Sequence, residues 1–230
     1  MIIAGFQKVS LIDYPGKIAS VIFTQGCNFR CPFCHNPELV LPEIFNEPLD
    51  NEMIFSFLKK RVEQIDGVVI GGGEPTIQDD IVDFIIKIKE LNYLVKLDTN
   101  GSNPDVIETL LCMHLLDFIA MDIKAPLEKY ENITKTKFDT LKINKSINLI
   151  LNSNIEYEFR TTLVKSDLTN EDVLAIGNMI KNARNFTLQR FIPSKSIDSE
   201  FIGQTLSPPN EDFALVLKGL NFLGLNCSVR

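Results

Sequence analysis

The sequence predicts a single α/β domain built on a parallel sheet, either doubly wound or curled into a partial barrel. Three observations predict it. Six apolar runs of strand length recur along the chain, segments of helical periodicity lie between them, and no composition break or Ser/Gly linker marks a second domain. Strands separated by helix-length crossovers run parallel, because a hairpin cannot return the chain in the same direction. At 230 residues, 45% apolar and 23% charged, the chain has the size and make-up to bury one large core. In either form of such a sheet the ligand site lies at the carboxyl ends of the strands.

Residues 1–17 read as an N-terminal extension closed by the turn signal Asp13-Tyr14-Pro15-Gly16. The run 18–23 is the first strand, and 67–70, 93–97, 116–121, 155–160 and 186–191 are the next five. The clearest helix carries Ile81, Phe84, Ile85, Ile88 and Leu91 as one stripe at steps of three and four. Further stripes are Ile143, Ile147 and Ile150; Val173, Ile176 and Ile180; and Phe213, Val216, Leu217 and Leu220. The barrel core is then 18–192. A C-terminal loop and helix occupy 193–230, where 198–209 is the most loop-like stretch and is expected to move.

Charge and cysteine content narrow the function. A net charge of -7 without a clustered Lys/Arg surface argues against nucleic acid as a partner. No apolar run approaches the roughly 20 residues that span a bilayer. The opening residues lack the basic n-region of a signal peptide, so a cytoplasmic protein without a membrane partner is expected. Five cysteines is an odd count, and three fall within eight residues, which suits ligation in a reducing compartment better than a disulfide framework.

Those three, Cys27, Cys31 and Cys34, leave the first strand in one loop. Structural zinc would want a fourth ligand, from His35 or a distant cysteine, and a ferredoxin cluster usually takes four cysteines. Three thiolates instead leave one iron open to an exogenous chelator. Cys112, among Leu110, Leu111 and Met113, is expected to be a buried inert thiol, and Cys227 to pack near the C-terminus.

The Cys-x3-Cys-x2-Cys spacing with Phe33 before the third cysteine resembles the signature of the radical S-adenosylmethionine superfamily. The resemblance implies a partial (βα)6 barrel holding one four-iron four-sulfur cluster on Cys27, Cys31 and Cys34, with S-adenosylmethionine on the open iron. Phe33 would then belong to the cofactor site, and His35 either touches the ligand or only packs.

The second strand ends in Gly71-Gly72-Gly73-Glu74-Pro75-Thr76, where glycines let backbone approach a ligand closely. By itself this could be a tight turn. It resembles the superfamily's element for the methionine ammonium group, which would fall to Gly73 and Glu74. The third strand ends in Asp98-Thr99-Asn100-Gly101 and the fourth in Asp122-Ile123-Lys124. An Asx turn at Asp98 and a solvated Lys124 are the plain readings. Both segments also resemble glycyl-radical activating enzymes, which implies Asp98, Asn100 and Lys124 in the S-adenosylmethionine site and Asp98, Thr99 and Asp122 around a monovalent cation. Arg160 would either fork onto the ligand's carboxylate or make a structural ion pair. Gln189 and Arg190 close the sixth strand without an assigned role.

From residue 5 to the sixth strand the chain resembles the activase group of the superfamily. Its opening and cysteine context are most similar to anaerobic ribonucleoside-triphosphate reductase activating proteins. The resemblance implies a glycyl-radical enzyme as partner and an electron donor such as flavodoxin or ferredoxin. The alternatives are a pyruvate formate-lyase-type activase, a 7-carboxy-7-deazaguanine synthase-like enzyme, which shares Gly-Gly-Glu-Pro-Thr and a Gln at the position of Gln78, and a non-enzymatic iron–sulfur electron carrier.

Overall fold

The computed structural model describes residues 1–164, 167–192, 197 and 210–230. The loop-like stretch 198–209 lies outside the described residues. The strands are β1 (Ile3–Ser10), β2 (Ala19–Thr24), β3 (Gly67–Gly72), β4 (Leu94–Thr99), β5 (Phe118–Asp122), β6 (Glu156–Leu163), β7 (Phe186–Arg190) and β8 (Cys227–Val229). They form one sheet in chain order, with β2 to β8 parallel and β1 antiparallel on β2. The helices α1 (Asn51–Lys59), α2 (Ile81–Glu90), α3 (Pro104–Cys112), α4 (Tyr130–Thr134), α5 (Leu141–Leu151), α6 (Asn170–Met179) and α7 (Asn210–Phe222) lie in the crossovers. Among the described residues, no helix is long and apolar enough to cross a membrane.

β2 to β7 are the six strands predicted from the apolar runs. The sheet gains one strand at each edge. β1 has a neighbour on one side only and leaves most of its residues half-buried or exposed, so no apolar run announces it. β8 has three residues, too few to carry a period.

The helices form where local signals agree. Asp50 caps α1 by accepting the Glu52 N–H, and Thr169 and Asp172 form a reciprocal capping box on α6. The α2 stripe buries Ile81, Phe84, Ile85 and Ile88 against the sheet, each side chain contributing about 1.5–3 kcal/mol. On α3 the buried positions are Pro104, Ile107 and Leu110, which turns Cys112, two residues on, to the opposite face. Cys112 is therefore exposed, not the buried thiol that its apolar neighbours suggested.

The strands sort their side chains by parity. One set, including Ile22, Ile70, Val95, Leu97, Ile119, Met121, Phe159 and Leu188, packs under the helices in the main core. The other set faces the inside of the curled sheet. There Ala19, Val21, Val69, Phe118 and Ala120 form a small second cluster with Tyr14, whose ring meets Phe118 edge-on at 5.9 Å. Tyr14 comes from the β1–β2 turn and plugs the amino end of the interior; a Cβ on Gly67 would stand 3.0 Å from its ring. Toward the carboxyl ends of β4 to β6 the interior becomes charged, with Lys96, Asp98, Asp122, Glu158 and Arg160 at alternate positions.

Candidate functional site

The loop after β2 is held by its own polar groups. Arg30 folds back so that Nη1 donates to the Cys27 carbonyl at 2.6 Å and the Phe29 carbonyl at 2.9 Å, while its N–H reaches the Thr134 carbonyl at 2.9 Å. Phe29 anchors the loop from below against Phe138 at 4.9 Å and Tyr130 at 6.2 Å. The Cys34 N–H closes a turn on the Cys31 carbonyl at 3.0 Å. All three thiols consequently line one cavity of about 310 Å³, at the carboxyl ends of the strands. Burial pushes the Cys27 thiol up to about 12 and the Cys31 thiol up to about 11, and raises Cys34 as well. Ligation must therefore displace protons, which a bound iron does by favouring the thiolate.

The glycine loop closes against the cysteine loop backbone to backbone. Gly72 has φ 104°, and a Cβ there would lie 2.6 Å from the Thr24 nitrogen; a Cβ on Gly73 would lie 1.9 Å from the Gly26 carbonyl oxygen. No side chain fits either position. Gly72 and Gly73 line the cavity.

Glu74 lies beside the cavity and outside its lining. Its side chain has no exposure, and Oε1 accepts from the Thr76 N–H at 3.0 Å, the Thr76 hydroxyl at 2.6 Å and the Thr99 hydroxyl at 2.7 Å. Oε2 accepts the Asn100 N–H at 2.7 Å. Burial pushes this carboxyl up, and the four donors oppose the rise. The carboxylate ties the β3 loop to the β4 loop and is not part of the cavity lining. Three donors meet at Oε1 and one at Oε2, all from the two flanking loops.

Asp98, Asp122, Lys124 and Arg160 do line the cavity. Arg160 bridges the two carboxylates, with Nε 2.7 Å from Asp122 Oδ1 and Nη1 3.3 Å from Asp98 Oδ2. Lys124 Nζ takes the other Asp122 oxygen at 3.1 Å, and Lys96, buried beneath the site, pairs with the other oxygen of Asp98. Burial alone would raise the Asp122 carboxyl; the Arg160 and Lys124 charges hold it well below the usual carboxylate range. Burial alone would lower the Lys124 amine, and Asp122 holds it up. The three residues expected around a monovalent cation are otherwise engaged: Asp98 and Asp122 hold cationic side chains, and the Thr99 hydroxyl donates to Glu74.

Of the remaining expected residues, Phe33, His35, Asn100 and Gln189 line the cavity. His35 stacks on Phe191, with ring centroids 5.5 Å apart and planes at 17°. Arg190 turns away, its guanidinium 4.5 Å over the Phe213 ring. Gln78 is structural: its amide accepts the Ile2 N–H and donates to the Gln25 carbonyl. Sequence reasoning passed over Lys96, Asn28 and Ser102. Lys96 was within reach, since it stands two residues before Asp98 and so shares its strand face.

The cluster implied by the resemblance fits these residues. Three free thiols of one loop face one cavity, which neither Cys112 nor Cys227 lines. Among the described residues no three His, Cys, Asp or Glu side chains converge as ligands of a single ion do.

The sequence profile of the Radical SAM superfamily matches residues 21–180. A candidate glycyl-radical enzyme activating enzyme of Methanocaldococcus jannaschii is 37% identical over 218 residues, 91% of this chain and 88% of the relative. A pyruvate formate-lyase-activating enzyme of Clostridium pasteurianum is 29% identical over 201 residues, 83% of this chain and 81% of the relative. Among solved structures, a radical SAM methyltransferase from Sphaerobacter thermophilus superposes with a TM-score of 0.72 at 14% identity, covering 94% of this chain and 67% of that one. That likeness concerns the fold, a partial barrel.

Proposed function

The chain belongs to the radical S-adenosylmethionine superfamily, in its glycyl-radical-enzyme activating group, and from that premise we propose that it activates an anaerobic ribonucleoside-triphosphate reductase. The observation that carries the chemistry is the single cavity shared by Cys27, Cys31 and Cys34 on one side and Gly72, Gly73, Lys124 and Arg160 on the other. A four-iron four-sulfur cluster bound to the three thiolates would pass one electron, drawn from a donor such as flavodoxin or ferredoxin, to the sulfonium of S-adenosylmethionine, releasing methionine and a 5′-deoxyadenosyl radical that takes a hydrogen atom from a glycine of the partner.

The protein's own work is placement. Carbonyl groups of Gly72 and Gly73 suit an ammonium group, and the Lys124 and Arg160 cations suit a carboxylate. Asp98 and Asp122 keep those cations fixed while the cavity is open. A monovalent cation at Asp98, Thr99 and Asp122 would have to displace one of them. The whole chain acts as one catalytic unit, with 18–192 as its barrel core.

The resemblance of the opening segment and the cysteine context supports the reductase as target. The test is anaerobic reconstitution with iron analysis. About four irons per chain are expected, lost on replacing any of Cys27, Cys31 or Cys34 by Ala and retained in Cys112→Ser and Cys227→Ser. The loaded protein, a reductant and S-adenosylmethionine should then raise a glycyl-radical electron paramagnetic resonance signal on the reductase. A signal only on a formate-lyase-type partner would move the target and leave the cluster reading in place.

A further inference from the structure

Cys27 differs from the other two thiols in what reaches its sulfur. Cys31 and Cys34 are approached by backbone N–H groups, that of Cys31 itself and that of Asn36. Cys27 Sγ has a backbone donor too, the Phe29 N–H at 3.4 Å, and in addition the side-chain amide of Asn100, with Nδ2 at 3.9 Å. Sulfur is a large, diffuse acceptor, so its hydrogen bonds are long.

The amide can face that sulfur in one sense only. Asn100 Oδ1 accepts the Ser102 N–H at 2.9 Å, and Nδ2 also donates to Asn28 Oδ1 at 2.9 Å. Asn28 Nδ2 in turn donates to the Ser102 hydroxyl at 2.7 Å. Rotating the Asn100 amide by half a turn would set its carbonyl against the Asn28 carbonyl and leave the Ser102 N–H without its acceptor. The Asn100 backbone is fixed as well, by its N–H on Glu74 at 2.7 Å. Asn100 is 6% exposed, so water competes little for these bonds. A buried, neutral donor is thus clamped by the cysteine loop on one side and the β4 loop on the other, with one N–H directed at a ligating sulfur.

We infer that Asn100 raises the reduction potential of the cluster bound at Cys27, Cys31 and Cys34, and that Asn28 and Ser102 serve as positioning residues for it. The inference rests on the ligand reading made above. Taking up an electron adds negative charge that spreads onto the ligating sulfurs, and a donor at one of them stabilises the reduced form more than the oxidised form. The donor matters here because the Glu74 carboxylate acts on Cys27 in the opposite direction, making an electron harder to add.

The test uses the full chain, reconstituted anaerobically and assayed for iron and sulfide before any titration. Midpoint potentials are then measured without S-adenosylmethionine by following the reduced cluster's electron paramagnetic resonance signal against a poised mediator. Asn100→Leu should shift the midpoint downward by about 59 mV or more, the one-electron equivalent of a tenfold change in the oxidised-to-reduced ratio. Ser102→Ala, which keeps the amide and loosens its clamp, should shift it in the same direction by less. A loaded Asn100→Leu protein with the wild-type potential overturns the inference. If that variant takes up no iron, Ser102→Ala and Asn28→Ala decide, and wild-type potentials in them overturn it equally. A wild-type chain that takes up no iron fails earlier, at the analysis, and overturns the ligand reading itself.

Discussion

Two acidic nodes stand at the carboxyl ends of neighbouring strands and have opposite characters. At the end of β3, Glu74 is sealed from solvent and both its oxygens are filled by Thr76, Thr99 and Asn100. At the ends of β4 and β5, Asp98 and Asp122 line the cavity and hold Arg160, Lys124 and Lys96 as ion pairs. The first node is closed and neutral-donor in kind. The second is open and ionic. A buried carboxylate held by backbone and hydroxyl donors binds loops together, whereas carboxylates that balance cations at a cavity wall can exchange those partners for a charged ligand at modest cost.

The comparison breaks first at Glu74. Glu74→Ala would orphan donors from two loops inside the protein, and a loss of about 3 kcal/mol is expected, read as a lower midpoint in urea or guanidinium with an unchanged slope. Cleavage of S-adenosylmethionine should fall together with stability. A wild-type midpoint with lost cleavage would return Glu74 to the binding role that its motif suggested.

A smaller effect is expected at the open node. Arg160→Lys keeps the charge but cannot bridge Asp98 and Asp122 with a planar fork. Its affinity for S-adenosylmethionine should weaken about tenfold, a difference of ~1.4 kcal/mol, while the unfolding midpoint moves little. Equal losses of folding stability and affinity would mean that this network is scaffold as well.

The smallest effect concerns acid. The folded-state pKa of Asp122 lies below its unfolded value because Arg160 and Lys124 outweigh its burial, so the unfolded chain binds the proton more readily. The stability this contributes is present above the unfolded carboxylate value of about 3.9 and is lost as pH falls through the lower folded value. Asp122→Asn should flatten that part of the stability curve between about pH 5 and pH 2 while leaving the neutral plateau lower but level. Parallel curves for the two proteins, titrated by denaturant at each pH, would show that Asp122 does not sense its cationic neighbours.

The six-strand core and the three thiols were legible from the sequence because both are local. Apolar runs, a stripe at steps of three and four, and cysteines seven residues apart at most are fixed by neighbours along the chain, and strand-end placement follows from βα order. The edge strands β1 and β8 were not legible, since one is half-exposed and the other is three residues long. Nor was the exposure of Cys112, which depends on the face of α3 that meets the sheet.

Within the site, the strand-end position of a side chain is easier to read from sequence than the partners it finds there. Asp98, Asp122, Lys124 and Arg160 were all named, and so was Glu74, yet only the first four face the cavity. What separates them is who fills their oxygens. Thr99 and Asn100 reach Glu74 across 25 and 26 residues of sequence, Arg160 reaches Asp98 across 62, and Asn100 reaches Cys27 across 73. Residue type and spacing determine that a carboxylate stands at a strand end. Only the folded sheet, by bringing distant loops within hydrogen-bond range, decides whether that carboxylate is spent on the scaffold or left open to a ligand.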